Sequence, residues 1–428
     1  MGEATLPKLA ANRLTSVDAL RGLAALGVLV GHAYSFLWMG PREHYQVHPP
    51  LSFDPLGWLG WIFMPLRYGV FGVELFFVLS GYCIHRSQAK ALAADPDAKS
   101  MKIGRFFLRR FFRIYPTYVA ALALAGVLRY VVLPYMASKG YALDAEDATS
   151  QHSWSNLGIT LSAMQNVLPF PSGGTYTPAF PYERIYWTLS LEIHFYLLYP
   201  LVLLIIRKFG AANMLVLSLA VGLLWNILYF VPYTSNLPWF FLNLTFFAPY
   251  WFTWCLGAYV AEIEAEGCKF RGLTPIAVTA AVIAVGIYLV GHLIKLPDRV
   301  MLEYWLEYPV AVVVGAVLLW SLKSSGHRFW RSMPVRVLAF VGVFSFSLYA
   351  VHYSMLRVIR AYLGPHHSTV LPALLACAII IPAAYLFFLL IERWTLRSPE
   401  GWFGKRTGAS TEVVKKETVC ASEGVKPE

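Results

Sequence analysis

The sequence predicts an all-α integral membrane protein of about ten transmembrane helices arranged in a single membrane domain. Three observations carry this expectation. The 428 residues are 57% hydrophobic and only 14% charged, against the ~25% charged fraction of ordinary soluble domains. Apolar runs of about 18 or more residues, enough to cross a ~30 Å hydrocarbon core, recur from one end of the chain to the other. Most Lys and Arg residues fall in the connections after every second run and in the two tails, the pattern that the positive-inside bias produces. The net charge of +11 therefore reports membrane orientation and excludes a nucleic-acid partner.

The first run, 17–38, carries Arg21 and His32 within an otherwise apolar stretch. Their eleven-residue separation gives a helix about three turns and only ~20° of drift, so both side chains share one face, with a rise of ~16 Å between them. No A-x-A-like cleavage site follows, so this run is expected to stay as the first span and not to be removed as a signal peptide. The second run, 68–85, holds Glu74, and the connection behind it carries Arg86, Lys90, Lys99, Lys102, Arg105, Arg109 and Arg110. The third, 111–133, begins inside GRFFLRRFFRIYP. The 134–185 connection contains Pro169, Pro171, Gly173, Gly174, Pro178 and Pro181, a density that excludes a regular span. Its middle, Trp154 to Val167, is apolar enough for a short interfacial or re-entrant helix, and a long ordered loop of this kind is the candidate for shaping an acceptor side.

The fourth run, 186–206, holds Glu192; 212–231, 244–262, 274–294 and 302–322 follow. The ninth, 336–357, carries His352, and 372–392 is the tenth. Residues 232–243 hold no basic residue, which together with the basic second connection places both termini in the cytoplasm of a cytoplasmic-membrane protein. The expected division is a tail at 1–16, a membrane domain at 17–393 and a disordered polar tail at 394–428.

Ionisable groups inside a membrane are costly unless they meet a cavity or a partner, so each is a site candidate. Arg105, Arg109, Arg110 and Arg113 stand three and four residues apart on adjoining helix faces, and their forked guanidiniums suit a multiply phosphorylated ligand. The plainer reading is an anchor for lipid head groups. Glu74 and Glu192 each suit a pairing with Arg21, or an orienting bond to one nitrogen of His32 that leaves the other nitrogen to act as a base; a structural contact between helices is the alternative. His352 taken alone reads as a packed, hydrogen-bonded histidine. His194 points to a different face from Glu192 and reads as structural. His44, His48 and His152 are too dispersed for a metal site, and the five scattered cysteines offer neither a zinc motif nor a disulfide framework. No G-x-S-x-G elbow, H-E-x-x-H or Gly-rich phosphate loop is present. A proton-coupled transporter also keeps Arg, Glu and His inside a membrane and is the alternative of another class, although the chain shows no inverted repeat and a carrier leaves the arginine cluster unexplained.

DALRGLAALGVLVGHAYSF, FGVELFFVLSGYCI, RRFFRIYPTY, WTLSLEIHFYLLYP and FSLYAVH, in this order, resemble the membrane-bound acyltransferase family 3, whose members O-acylate cell-surface glycans and some antibiotics. The resemblance covers Ser16 to Arg393 and implies an acyl-CoA donor, with acetyl-CoA expected, taken from the cytoplasm and a carbohydrate or glycolipid acceptor presented from the other side. Partners implied are the bilayer and the proteins that assemble the glycan; no metal is implied. The family's arginine–ten residues–histidine motif falls on Arg21 and His32, its R-x-x-R on Arg110 and Arg113 with Arg105 and Arg109 beside them, its membrane acid on Glu192 and its late histidine on His352. Glu74 stands where relatives often have Asp. Ile391-Glu392-Arg393-Trp394 replaces the frequent I-E-x-P, so the exit of the tenth helix is expected to differ. The implied roles are phosphate binding by the arginines, proton abstraction by His32 and oxyanion stabilisation by Arg21 or a neighbouring donor, with a covalent acyl-histidine as a second route.

Overall fold

The computed structural model describes residues 15–49, 54–63, 70–95, 101–143, 154–167, 185–230, 246–268, 270, 272–293, 299–365 and 367–396. These residues are predominantly helical and contain no β-sheet, so the chain is an all-α integral membrane protein. α1 (Thr15–Leu37) is followed by the short α2 (Pro41–Val47) and α3 (Pro55–Phe63), then by α4 (Val70–Ala94) and α5 (Ile103–Val127). α5 continues through a π-helical turn, Leu128–Val132, into α6 (Leu133–Ser138). After α7 (Trp154–Leu161) come α8 (Tyr186–Phe209), α9 (Ala211–Phe230), α10 (Phe247–Ala265), α11 (Leu273–Leu293) and α12 (Arg299–Lys323). α13 (Met333–Val343), α14 (Ser345–Leu363) and α15 (Leu371–Phe387) complete the bundle, and a second π-helical turn, Phe388–Glu392, closes α15.

Helix stands at each of the ten expected runs, but seven helices among the described residues are long and apolar enough to cross a membrane, eight if one bent pair counts as a span. Two departures have physical reasons. α4 and α10 bury much of their length against each other and inside the bundle. Helices shielded from lipid carry polar and aromatic residues without cost. The ninth run is not one helix: α13 and α14 meet at a 75° bend at Phe344, where the backbone leaves helical geometry. The opposite extreme is α11, with only 6% of its apolar window buried; Val278, Val282, Val285 and Leu289 point outward, as a lipid-facing helix requires. The short helix expected within Trp154–Val167 is α7 with the turns behind it. Both tails up to Leu14 and from Arg397, and most of the long connection around α7, lie outside the described residues.

Two close crossings fix the walls of the site. At Gly81 on α4 a β-carbon would fall 1.9 Å from the Trp254 carbonyl oxygen, and at Gly257 on α10 it would fall 1.9 Å from that of Val78. The same reciprocity joins α1 to α13: Gly22 faces the Leu338 oxygen and Gly342 the Asp18 oxygen, again at 1.9 Å. Backbones this close need glycine on both sides, the small-residue contact that membrane helices use. The α13–α14 bend lets one stretch of chain do two things. α13 crosses α1 at Gly22, and α14 runs on beside the second half of α1. α1 and α14 end together, where His367 exchanges backbone hydrogen bonds with Leu37 and Met39.

Candidate active site

α1 places Arg21 and His32 at two levels of the bundle, eleven residues apart along one helix. Arg21 lines a cavity of about 130 Å³ bounded by α1, α4, α5, α8 and α14. Arg110 and Arg113 on α5, Glu192 and Tyr196 on α8, and Ser80 and Cys83 on α4 complete its polar lining. Each charge in it is held. Arg21 lies 3.8 Å from Asp18 and 3.3 Å from the Cys83 sulfur. Arg110 stacks over the rings of Phe106 and Tyr196 at 5.5 and 5.7 Å, a cation–π geometry. Arg113 lies 3.6 Å from Glu392, which the second π-helical turn turns inward and which also accepts from the Ser347 hydroxyl at 2.6 Å. Glu192 accepts from Ser80 at 3.0 Å and from the Tyr196 hydroxyl.

Phe76, Thr188 and Tyr349 bound the deep part of this cavity. The Tyr349 and Thr188 hydroxyls stand 2.6 Å apart, and both reach the Ile185 carbonyl oxygen at 3.0 Å. Behind them lies His352, its ring centroid 5.6 Å from that of Tyr349. His352 Nε2 is 2.9 Å from His32 Nδ1, and the two rings stack with centroids 5.1 Å apart. Hydrogen positions follow from this network. His352 Nδ1 sits 2.7 Å from the Tyr349 oxygen and 3.1 Å from that of Leu348, and carbonyls only accept, so Nδ1 carries the hydrogen. With one proton per ring, His352 Nε2 is the acceptor and His32 Nδ1 the donor. His32 Nε2 is left with its lone pair, the arrangement a general base requires.

The geometry sorts the residues singled out in the sequence. Arg21, Arg110, Arg113 and Glu192 meet in one cavity, and His32 and His352 meet beyond it. Arg105 and Arg109 are exposed and outside the lining. Glu74 also lies outside it. Glu74 is buried beside α10 and α12, in the neighbourhood of Thr253 and Glu307, so α4 turns it away from Arg21 and His32. The orienting partner of His32 is thus another histidine and not an acid. His194 is buried on α8 and does not line the cavity. His44 and His48 do lie close, their rings tilted with centroids 4.9 Å apart, yet no group of three metal-ligating side chains occurs among the described residues. Ser80, Cys83, Tyr196, Thr188, Tyr349 and Glu392 were not anticipated, although all lie within or beside the motifs quoted above.

An acyltransferase-3 family model, described as an acyltransferase domain, matches residues 14–392. The chain belongs to this family. Among curated relatives, nodulation protein 10 of Rhizobium leguminosarum is 27% identical over 47% of this chain and 48% of its own length. The peptidoglycan O-acetyltransferase OatA of Listeria monocytogenes is 26% identical over 51% of this chain and 30% of its own. The acyltransferase MdmB of Streptomyces mycarofaciens is 25% identical over 82% of this chain and 81% of its own. The chain thus spans about half or less of the first two. No solved structure matches it.

Proposed function

We propose that this protein is a membrane-bound O-acyltransferase that moves an acyl group, acetyl by expectation, from acyl-CoA to a hydroxyl of a glycan on the far side of the membrane. The observation that carries the reading is the arginine-lined cavity whose deep end abuts a histidine pair with one lone pair to spare. The arginine end faces the cytoplasm, in line with the basic connection behind α4. Arg110 and Arg113 hold donor phosphates, because each planar guanidinium presents paired donors to phosphate oxygens. Arg21 joins them. It sits ~16 Å along α1 from His32, a span suited to an extended pantetheine arm, so it serves the donor's phosphate end and not the reacting carbonyl. The thioester then lies at the end of the cavity lined by Thr188 and Tyr349, whose hydroxyls are tied to the Ile185 carbonyl and to each other and so hold that wall in place.

In the transfer, His32 Nε2 takes the proton of the acceptor hydroxyl as its oxygen attacks the thioester carbonyl. The tetrahedral intermediate collapses with cleavage of the C–S bond, and the proton returns from His32 to the departing CoA thiolate. His352 holds the His32 ring and its tautomer throughout. Purified protein in proteoliposomes, given radiolabelled acetyl-CoA on the arginine side and oligosaccharide on the other, should release CoA thiol and label the oligosaccharide. Passage of label with the thioester intact would identify a carrier and overturn the reading.

A further inference from the structure

The donor cavity changes character along its length. Its wall on α4 is one helical stripe, Val73, Phe76, Phe77, Ser80, Cys83 and Ile84, at the three- and four-residue spacings of a single face. From Cys83 back to Val73 the stripe rises ~15 Å, close to the separation of Arg21 and His32. Ser80 and Cys83 mark its arginine end, and Val73 and Phe76 the other. α8 repeats the order: Glu192 and Tyr196 stand beside the arginines, Thr188 and Leu189 away from them. The described residues at that far end carry no charge, which suits the uncharged acyl end of a donor whose phosphates the arginines hold. The far end also approaches the histidine level. Gly72, beside Val73, meets α1 so closely that a β-carbon would fall 2.8 Å from Val28 Cγ2, one turn before His32.

Phe77 and Leu189 are buried parts of the surrounding core, and Thr188 and Tyr349 are tied through their hydroxyls. Phe76 is different: it is partly exposed and lines the cavity. Its ring packs against three separate buried clusters at once and meets the Tyr349 ring edge-on at 5.9 Å, so Tyr349 alone bridges it to His352. A ring held on that many sides has no empty space to swing into, because interiors at native density leave none. We propose that Phe76 sets the acyl length of the donor: its ring caps the far end of the cavity, so that an acetyl group fits against it and longer chains are refused. The inference rests on the acyl-transfer reading above and names the residue that selects the acyl group. A fixed apolar wall discriminates by roughly 10- to 200-fold per methylene.

The test is equilibrium binding of acetyl-CoA, butyryl-CoA and CoA to the full-length protein in neutral detergent, with no acceptor present, so that the cap is read without turnover. The wild type should bind acetyl-CoA at least tenfold more tightly than butyryl-CoA. Phe76→Ala should bring the two within about threefold by tightening butyryl-CoA, while CoA, which has no acyl group, binds both proteins alike. A tighter complex with the larger ligand is a result that general damage to the fold does not give. Phe76→Leu, which keeps more of the packing, should move the ratio in the same direction and keeps the test open if Phe76→Ala misfolds. Equal binding of the two thioesters by the wild type, or an unchanged ratio in a folded Phe76 variant, overturns the proposal. Transfer of label from acetyl-CoA to oligosaccharide, measured in parallel on the wild type, separates this failure from failure of acyl transfer itself.

Discussion

The two sides of the histidine pair hold their arginines differently. On the cavity side Arg21 and Arg113 are anchored by carboxylates, Asp18 and Glu392, around open volume. On the other side Arg357 and Arg360 lie over aromatic faces in packed surroundings. The first pair borders open volume, and the second lies within packed helices. His32 and His352 stand between that cavity and a packed end of the bundle.

The largest expected effect comes from removing the centre of that contrast. His32→Ala should lower transfer by about 10³-fold, within the range for a general base, while CoA binding by the folded variant persists; a folded variant acylating at the normal rate ends this mechanism. His352→Ala should cost less, about 10²-fold in kcat with both KM values unchanged, because it orients and does not itself take the proton. His352→Gln should recover part of the loss, since an amide oxygen can accept from His32 Nδ1. On the cavity side, Arg110→Ala or Arg113→Ala should raise the KM for acyl-CoA about tenfold, the scale of one charge-assisted hydrogen bond, whereas Arg105→Ala and Arg109→Ala should leave it alone. Equal effects from all four would return the cluster to a lipid anchor. The smallest effect should be that of Glu74→Gln, within about twofold of wild type in kcat while Glu192→Gln falls further; an inactive but folded Glu74→Gln would place that acid in the chemistry after all.

Glu74 and Glu192 also show what sequence can and cannot tell. Both are lone acids in apolar runs, and nothing local separates them. The difference arises because the Gly81–Gly257 crossing sets the rotation of α4, turning Ser80 and Cys83 to the cavity and Glu74 to α10 and α12. Within one helix the sequence is informative: the helix carrying both Arg21 and His32 is legible from its apolar run, and the apolar middle of the long connection announced α7. Between helices it is not. His32 and His352 are 320 residues apart, so their bond has no signature in either run. The break at Phe344 was invisible because FVGVFSFSLY reads as continuous apolar helix. Glu392 was noticed only as part of an altered motif; its pairing with Arg113 needed the π-helical turn to aim it.

The four crossing glycines have a genetic consequence. Every missense change of a glycine codon adds at least a β-carbon, and at Gly22, Gly81, Gly257 and Gly342 that atom would stand 1.9 Å from a carbonyl oxygen of the neighbouring helix. Helices would have to separate, with the ~1–3 kcal/mol typical of overpacking as a lower figure. Substitution tolerance along this chain should therefore fall sharply at four codons that contribute no chemistry, and random mutagenesis would find inactive alleles there as readily as at the histidines.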